Sequence, residues 1–530
     1  MRFVPALRWS AGITCAVALL AAEAQQAQSG AGNIVIRSTT TLVYLDVTVL
    51  DKKGNPVATG LTKDDFLITE DKKPQRLFSF EAPEIHKGKL GRKGYDAVDG
   101  TTPRTILVLD LLNSTFSQFA FLRYSMQKYL EAQPAQLNAP TEMMVIGNDS
   151  LELLQGFTRS REDLLLALKH VPGALPYKRM SPSFFSERFG QSIDALQQIA
   201  LQSKGMPGRK NIIWVGNGGP SLQTIALNNS LVQRLVQYVH ETTNMLVDER
   251  VSLFVVYPGL ATGGKLDFKE IGSAQTDPGY SDPFAGDINF GVFVAETGGK
   301  LYFNRNDVDM QIEHSQEMGS HYYTITYQPQ EAGSDGKFRR IHVSLRDPNL
   351  TAVTKQGYFA PDEHAPVDPQ KELVVNLAEA VRSKLPLGGL GLKVADVARH
   401  TDTRSAEIGV LVPMRNLRWQ PADDGQSTAT VMVEAAGRTD AGELLASRLE
   451  RITLTAASQD RERLARDMGR VHIALQVPKR TDVVRVVVEN EEGGQMGSAE
   501  VRRTQIDAAP ATPTPPTPHE PAESKSGAGR

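Results

Sequence analysis

Thiols are nearly absent from this sequence: its one cysteine, Cys15, lies in the first apolar stretch. Once that stretch is removed, disulfides, cysteine-held zinc, iron–sulfur clusters and thiol nucleophiles are all excluded. An excess of charge is missing too, since the formal net charge is -3 over 530 residues. A chain so near neutrality has no global field for nucleic acid or anionic lipid. No later apolar run is long enough to span a membrane, so no stable membrane insertion is expected after the leader is lost. Neither a Gly-x-Ser-x-Gly elbow nor a Lys-containing phosphate loop occurs. His240-Glu241-Thr242-Thr243-Asn244 stops one imidazole short of a zinc motif and reads as a solvated helix face. With no complete catalytic constellation, the expectation is a protein that is not an enzyme.

What is present begins with a leader. Arg2 and Arg8 precede an apolar run from Ala11 to Ala22, and Ala22-Glu23-Ala24 supplies a small-residue cleavage site. Residues 1–24 therefore read as a secretory signal peptide, and the protein as exported, periplasmic or extracellular. At the other end, residues 505–530 hold Pro510, Pro513, Pro515, Pro516, Pro518 and Pro521 with few large apolar residues, the composition of a disordered tail.

Between these ends the pattern changes several times. In residues 33–100, Val43, Leu45, Val47 and Val49 alternate with polar neighbours before a Lys53-Gly54-Asn55 turn, as β-sandwich strands do. Residues 101–320 alternate apolar runs (Ile106–Leu109, Met143–Ile146, Ile212–Val215, Leu253–Val256) with helical periodicity, which predicts a mostly parallel sheet with helices on both faces. Residues 321–361 return to strands, and the expectation is that they pair with 33–100 to complete one sandwich around an inserted α/β unit. A linker helix is expected over 371–385 and a second β-sandwich over 386–504. The fold class is thus α/β plus β-sandwich, in several domains.

Asp46-Val47-Thr48-Val49, Gly60-Leu61-Thr62-Lys63-Asp64-Asp65-Phe66 and Glu70-Asp71 resemble the N-terminal motif of a bacterial family of exported von Willebrand factor A related proteins common in Acidobacteria. Pro207-Gly208-Arg209-Lys210-Asn211-Ile212, Ala295-Glu296-Thr297-Gly298-Gly299 and Asp335-Gly336-Lys337-Phe338-Arg339 are similar to later signatures of that family, and the resemblance covers about residues 33–361. It implies a Rossmann-like A domain whose crest carries a metal-ion-dependent adhesion site, with Mg²⁺ or Mn²⁺ held by hard oxygens. Asp110, Ser114 and Asn217 fall at the matching positions. Leu112 stands where a second serine is expected and Asn217 where an aspartate is expected, so the site reads as degenerate; Thr158 reads as part of a helix N-cap.

The expected function is protein–protein or surface-polymer binding through the crest of the α/β domain, the partner being a protein or cell-envelope polymer. Asn113, beside the carboxylate, is one candidate contact. Tyr280 and Phe284, in the long Gly-, Asp- and Pro-rich segment from Pro258 to Phe290, are two more. A structural part of an envelope assembly, or a metal-dependent hydrolase, is the alternative.

Overall fold

The computed structural model describes residues 42–511 apart from 87–101, 148–150, 172–181, 220–221, 224–228, 259–286, 289, 331–334, 361–368, 401–403, 423–425 and 458–466. The expected signal peptide and the candidate contacts Tyr280 and Phe284 lie outside the described residues.

The first strands are β1 (Val43–Leu50), β2 (Phe66–Glu70), β3 (Lys73–Pro74) and β4 (Leu77–Glu81). An α/β segment follows: β5 (Arg104–Asp110), α1 (Phe116–Ala132), β6 (Gln136–Ile146), β7 (Leu151–Ser160), α2 (Arg161–Lys169), α3 (Pro182–Ser203), β8 (Lys210–Val215), β9 (Leu222–Gln223), α4 (Asn229–Asp248), β10 (Val251–Pro258), β11 (Asp287–Ile288), α5 (Phe290–Glu296), β12 (Leu301–Arg305) and α6 (Val308–Ser320). Strands then resume with β13 (Tyr323–Tyr327), β14 (Phe338–Leu345), β15 (Thr351–Val353) and β16 (Gly357–Phe359).

Both small sheets mix strands from the two sides of the α/β segment. One has the order β15-β1-β13-β4, with Val43 opposite Tyr327, and the other β16-β14-β2-β3, with Glu70 opposite Ile341. Leu45, Val47, Phe66, Ile68, Tyr323, Ile325 and Ile341 fill the space between them, as the period-two alternation of these strands requires.

The α/β sheet runs β12-β10-β8-β5-β6-β7, parallel throughout except for β7, which returns antiparallel to β6. Successive strand residues face opposite layers. Ile106, Val108, Ile212 and Trp214 pack under α3, α4 and α5, while Leu107, Leu109, Ile213 and Val215 pack under α1, α2 and α6. Burial on both faces explains why these strands read as unbroken apolar runs. The chain leaves β5 for β6 on one side and later comes back to β8 on the other, so the carboxyl ends of β5 and β8 flank the point where strand order reverses.

The helix expected over 371–385 corresponds to α7 (Pro369–Arg382). Its apolar face, Leu377, Ala380 and Val381, is buried together with Leu201 of α3 and with Ala436, Val487 and Met496 of the C-terminal sheets. Those sheets comprise β17 (Lys393–His400), β18 (Ser405–Pro413), β19 (Gln420–Pro421), β20 (Gln426–Arg438), β21 (Leu444–Ala457), β22 (Met468–Gln476), β23 (Val483–Asn490) and β24 (Met496–Arg502). The order β17-β18-β22 faces β19-β20-β23-β24, with β21 also on β20, across a core of Ile408, Val410, Val431, Val433, Ile473 and Val486. The chain is of the α/β-plus-β-sandwich class, in several domains. Of the stretch expected as a tail from residue 505, the described part is ordered into α8 (Arg503–Ala508), where Ile506 is buried, and Ala511 bridges Arg399; residues 512–530 lie outside the described residues.

Candidate functional site

The carboxyl end of β5 is Asp110, and its side chain is fully buried. Having the parity of Ile106 and Val108, it points toward α3 and α5 and not into solvent. Four N–H groups meet its carboxylate. The Asn113 backbone N–H donates to Oδ1 at 2.8 Å, and Oδ2 accepts from Trp214 Nε1 at 2.9 Å, the Gly218 backbone N–H at 2.9 Å and Asn113 Nδ2 at 3.1 Å. Burial pushes the Asp110 carboxyl above the usual range, while the indole and the Asn113 and Gly218 groups draw it back.

The sequence after β8 is built to allow this approach. Gly216 has φ 147°, and a Cβ there would lie 2.3 Å from that of Asp110, so a side chain at this turn would drive the carboxylate away from β8. Trp214 stands opposite Val108 in the β5–β8 register, two residues before the carboxylate. Its fully buried indole therefore reaches along the sheet to find an acceptor, as a buried tryptophan N–H must.

Asn113 is the hub of the cluster. Besides Asp110, its Nδ2 donates to Ser192 Oγ of α3 at 3.1 Å, its Oδ1 accepts from Arg188 Nε at 3.0 Å, and its carbonyl accepts from Asn217 Nδ2 at 2.9 Å. This corrects its expected role as a partner contact. Only 4% of Asn113 is exposed, and its side chain is occupied in fixing the loop. The structure brings Asp110, Asn113 and Asn217 into one network, whereas Ser114 Oγ and Asn217 Oδ1 are buried without a hydrogen-bond partner among the described residues.

The donor set does not fit a divalent ion. A hard cation of this kind needs about six oxygens in an octahedron. Leu112 supplies none and is itself core, three N–H groups already point at Asp110 Oδ2, and the Arg188 guanidinium stands one residue removed from the carboxylate. Among the described residues no group of three or more His, Cys, Asp or Glu is arranged to hold a metal. Thr158 lies in β7: its hydroxyl donates to Asp163 at 3.0 Å and accepts from the Ser160 N–H at 3.0 Å, while Ser160 caps α2.

Two residues that the sequence did not single out shape the crest. Arg188 comes from α3. Phe116, the first residue of α1, is 64% exposed although it directly follows the buried loop. A capping box holds that turn: Thr115 Oγ1 accepts from the Gln118 N–H at 3.3 Å, and the Thr115 N–H donates to Gln118 Oε1 at 2.9 Å. A large aromatic after Thr115 at a helix start was the available signal. His240 is another correction, since its ring stacks on Phe359 at 3.8 Å and does not sit on a solvated face.

Three of the motifs that carry the family resemblance, those with Asp46 and Thr48, Arg209, and Gly298, meet elsewhere, at the seam between the α/β sheet and the first sandwich. Arg209 is fully buried there. Its Nη1 donates to Thr48 Oγ1 at 3.0 Å, its Nε to Ser252 Oγ at 3.0 Å and its Nη2 to the Gly298 carbonyl at 3.3 Å, with the Tyr322 ring 5.3 Å away. Arg250 Nε bonds Asp46 at 3.0 Å beside it. Burial works to raise the Asp46 carboxyl, but the Arg250 guanidinium, together with Arg209 and the Thr324 hydroxyl, outweighs it and holds the group below its ordinary value.

No family model matches the chain, and no curated protein matches it. Among solved structures, the one titled "Crystal Structure of the SpRpn10 VWA domain" is similar at 14% sequence identity and a TM-score of 0.22, covering 41% of this chain and 95% of that one.

Proposed function

We propose that the protein is a non-enzymatic binding protein of the exported von Willebrand A type, which captures a protein or envelope polymer through the crest of its α/β domain without a metal ion. The observation that carries this reading is the state of Asp110: a buried carboxylate accepting four N–H bonds is a structural cross-link, not a reagent or an open ligand. What the crest offers outward is Phe116, a rigidly capped aromatic of the kind that anchors interfaces. Export of the chain is part of the proposal and rests on the leader-like first 24 residues. Among the described residues no helix is long and apolar enough to cross a membrane.

The test is capture from envelope extract by the full chain, by its Phe116→Ser variant, and by the full chain in EDTA. Capture that persists in EDTA and is lost with Phe116→Ser supports the reading. Capture abolished by EDTA, or indifferent to Phe116, overturns it.

A further inference from the structure

The chain covers two edges of its C-terminal sandwich by itself. Along β24 the Ser498 N–H donates to the Leu387 carbonyl and the Leu390 N–H to the Met496 carbonyl, both at 3.0 Å. Along β17 the Arg399 N–H donates to the Pro510 carbonyl at 3.0 Å. The opposite side is open: among the described strands β21 pairs only with β20, and β22 only with β18. An open edge is a template for another strand, and proteins usually interrupt it. β7 and β12, the edges of the α/β sheet, are interrupted by register shifts. β21 is not, since it keeps one register with β20 from Ala446 opposite Gly437 to Ala457 opposite Gln426.

The direction of its backbone groups follows from β20. The Thr430 carbonyl accepts from the Glu491 N–H at 3.1 Å and the Arg438 carbonyl from the Asp482 N–H at 2.9 Å, so the even-numbered residues of β20 bond toward β23. Its odd-numbered residues therefore bond toward β21, where Val431, Val433 and Ala435 stand opposite Ile452, Glu450 and Arg448. Ser447, Leu449, Arg451, Thr453 and Thr455 are left with their N–H and C=O groups turned away from the sheet. On the strand's other parity, Arg448 and Glu450 form an ion pair at 2.6 Å. Arg451 is held by both carboxylate oxygens of Glu491, at 2.9 and 3.2 Å.

We propose that β21 is a dimer interface, pairing antiparallel with β21 of a second copy of this chain about a two-fold axis at Leu449. In a symmetric pair only the outward groups can bond, so odd-numbered residues must stand opposite odd-numbered ones. Among such registers charge decides. An axis at Arg448 or at Glu450 sets that residue against itself, which repulsion opposes. An axis at Leu449 sets Arg448 opposite Glu450 of the second copy and Glu450 opposite Arg448 of the second copy, in the non-hydrogen-bonded rows where side chains approach closest. The ion pair within each strand is kept, and the two pairs close into a square of alternating charge. Ala446 then meets Ile452 of the second copy, extending an apolar row that both already contribute to, and Ser447 meets Arg451, whose guanidinium stays on Glu491. The pairing uses no residue of the crest and gives the assembly two crests, so a repeating partner is gripped at two points.

Sedimentation equilibrium of the full chain at tens of micromolar is expected to give twice the chain mass. Arg448→Glu and Glu450→Arg each set like charges opposite one another, and each is expected to weaken dimerisation about tenfold or more. An equimolar mixture of the two variants restores opposite signs at both contacts and is expected to recover the dimer, which a merely structural role of the ion pair would not produce. Cross-linking reads the register independently. On a Cys15→Ser background the chain has no other thiol. Leu449→Cys should then form an intermolecular disulfide on mild oxidation, since its two Cα atoms lie about 5.5 Å apart across the axis, within the span a disulfide bridges. Arg448→Cys and Glu450→Cys should not. A monomeric wild type overturns the proposal, as do a dimer indifferent to both charge variants, a mixture no better than its parts, and cross-linking that favours Arg448→Cys or Glu450→Cys over Leu449→Cys. If circular dichroism shows a charge variant misfolded, Leu449→Cys, which leaves both charges in place, decides alone.

Discussion

Trp214 Nε1 donates to Asp110 Oδ2 at 2.9 Å, tying β8 to β5 where the strand order of the sheet reverses. In α/β proteins this position is where a ligand crevice is expected. Here an indole occupies it from within. Trp214→Phe removes one donor from a buried carboxylate and is expected to cost about 2–4 kcal/mol. Asp110→Asn costs on the same scale, because its amide nitrogen must face an N–H that previously found an oxygen. A double-mutant cycle from urea midpoints should return a coupling of at least about 1 kcal/mol, and a coupling near zero would mean that the bond holds nothing.

Because the carboxylate is already surrounded by N–H donors, titration calorimetry with Mg²⁺ or Mn²⁺ should show no heat of binding at millimolar metal. The unfolding midpoint should also be the same in EDTA and in magnesium. Saturable heat would restore Asp110, Ser114 and Asn217 as ligands.

Arg209 spans three elements with one planar fork, reaching Thr48, Ser252 and the Gly298 carbonyl. A lysine supplies its donors from a single point and fits none of that geometry. Arg209→Lys is therefore expected to destabilise by about 2–4 kcal/mol, read as a lower urea midpoint at constant slope. A loss below about 0.5 kcal/mol would show that charge, and not the fork, is what the seam uses.

Glu142 on β6 is 1% exposed; burial raises its carboxyl to about 8, opposed by the Gln202 hydrogen bond at 3.2 Å and by Arg104. The unfolded chain loses this proton near 4.5 while the folded chain keeps it. The native state thus binds more protons across that window, and stability falls as pH rises from 4.5 toward 8. Glu142→Gln should remove that slope: wild type and variant differ least near pH 4.5, and the variant gains roughly 2–4 kcal/mol at pH 8. Parallel stability–pH curves would refute the assignment.

The strand positions were readable because burial on both faces makes Ile106–Leu109, Ile212–Val215 and Leu253–Val256 apolar at every step, a pattern that needs no partner to recognise. The placement of Asp110 followed from the same pattern. What escaped was everything decided by contacts between distant segments. That Trp214 is a hydrogen-bond donor to Asp110 depends on strand register, and that Asn113 is buried depends on Arg188 and Ser192 arriving from α3. The resemblance also drew attention to the crest, whereas Thr48, Arg209, Gly298 and Gly299 of its motifs serve the seam. Arg209 is an internal clamp there, and at Gly299 a Cβ would lie 1.8 Å from the Leu253 carbonyl oxygen, so only glycine permits that approach.

The helix α7 bears on how the molecule comes apart. Leu201 belongs to the α/β layer and Val487 to the last sandwich, yet both share one apolar cluster with Leu377 and Val381, and Lys204 of the first reaches Glu489 of the second at 2.9 Å. Neither side can lose its packing without stripping the other of buried surface. Heating should therefore melt the α/β layer and the C-terminal sheets in one cooperative step, and the helix between them makes a single folding unit out of what the domain boundaries would count as two.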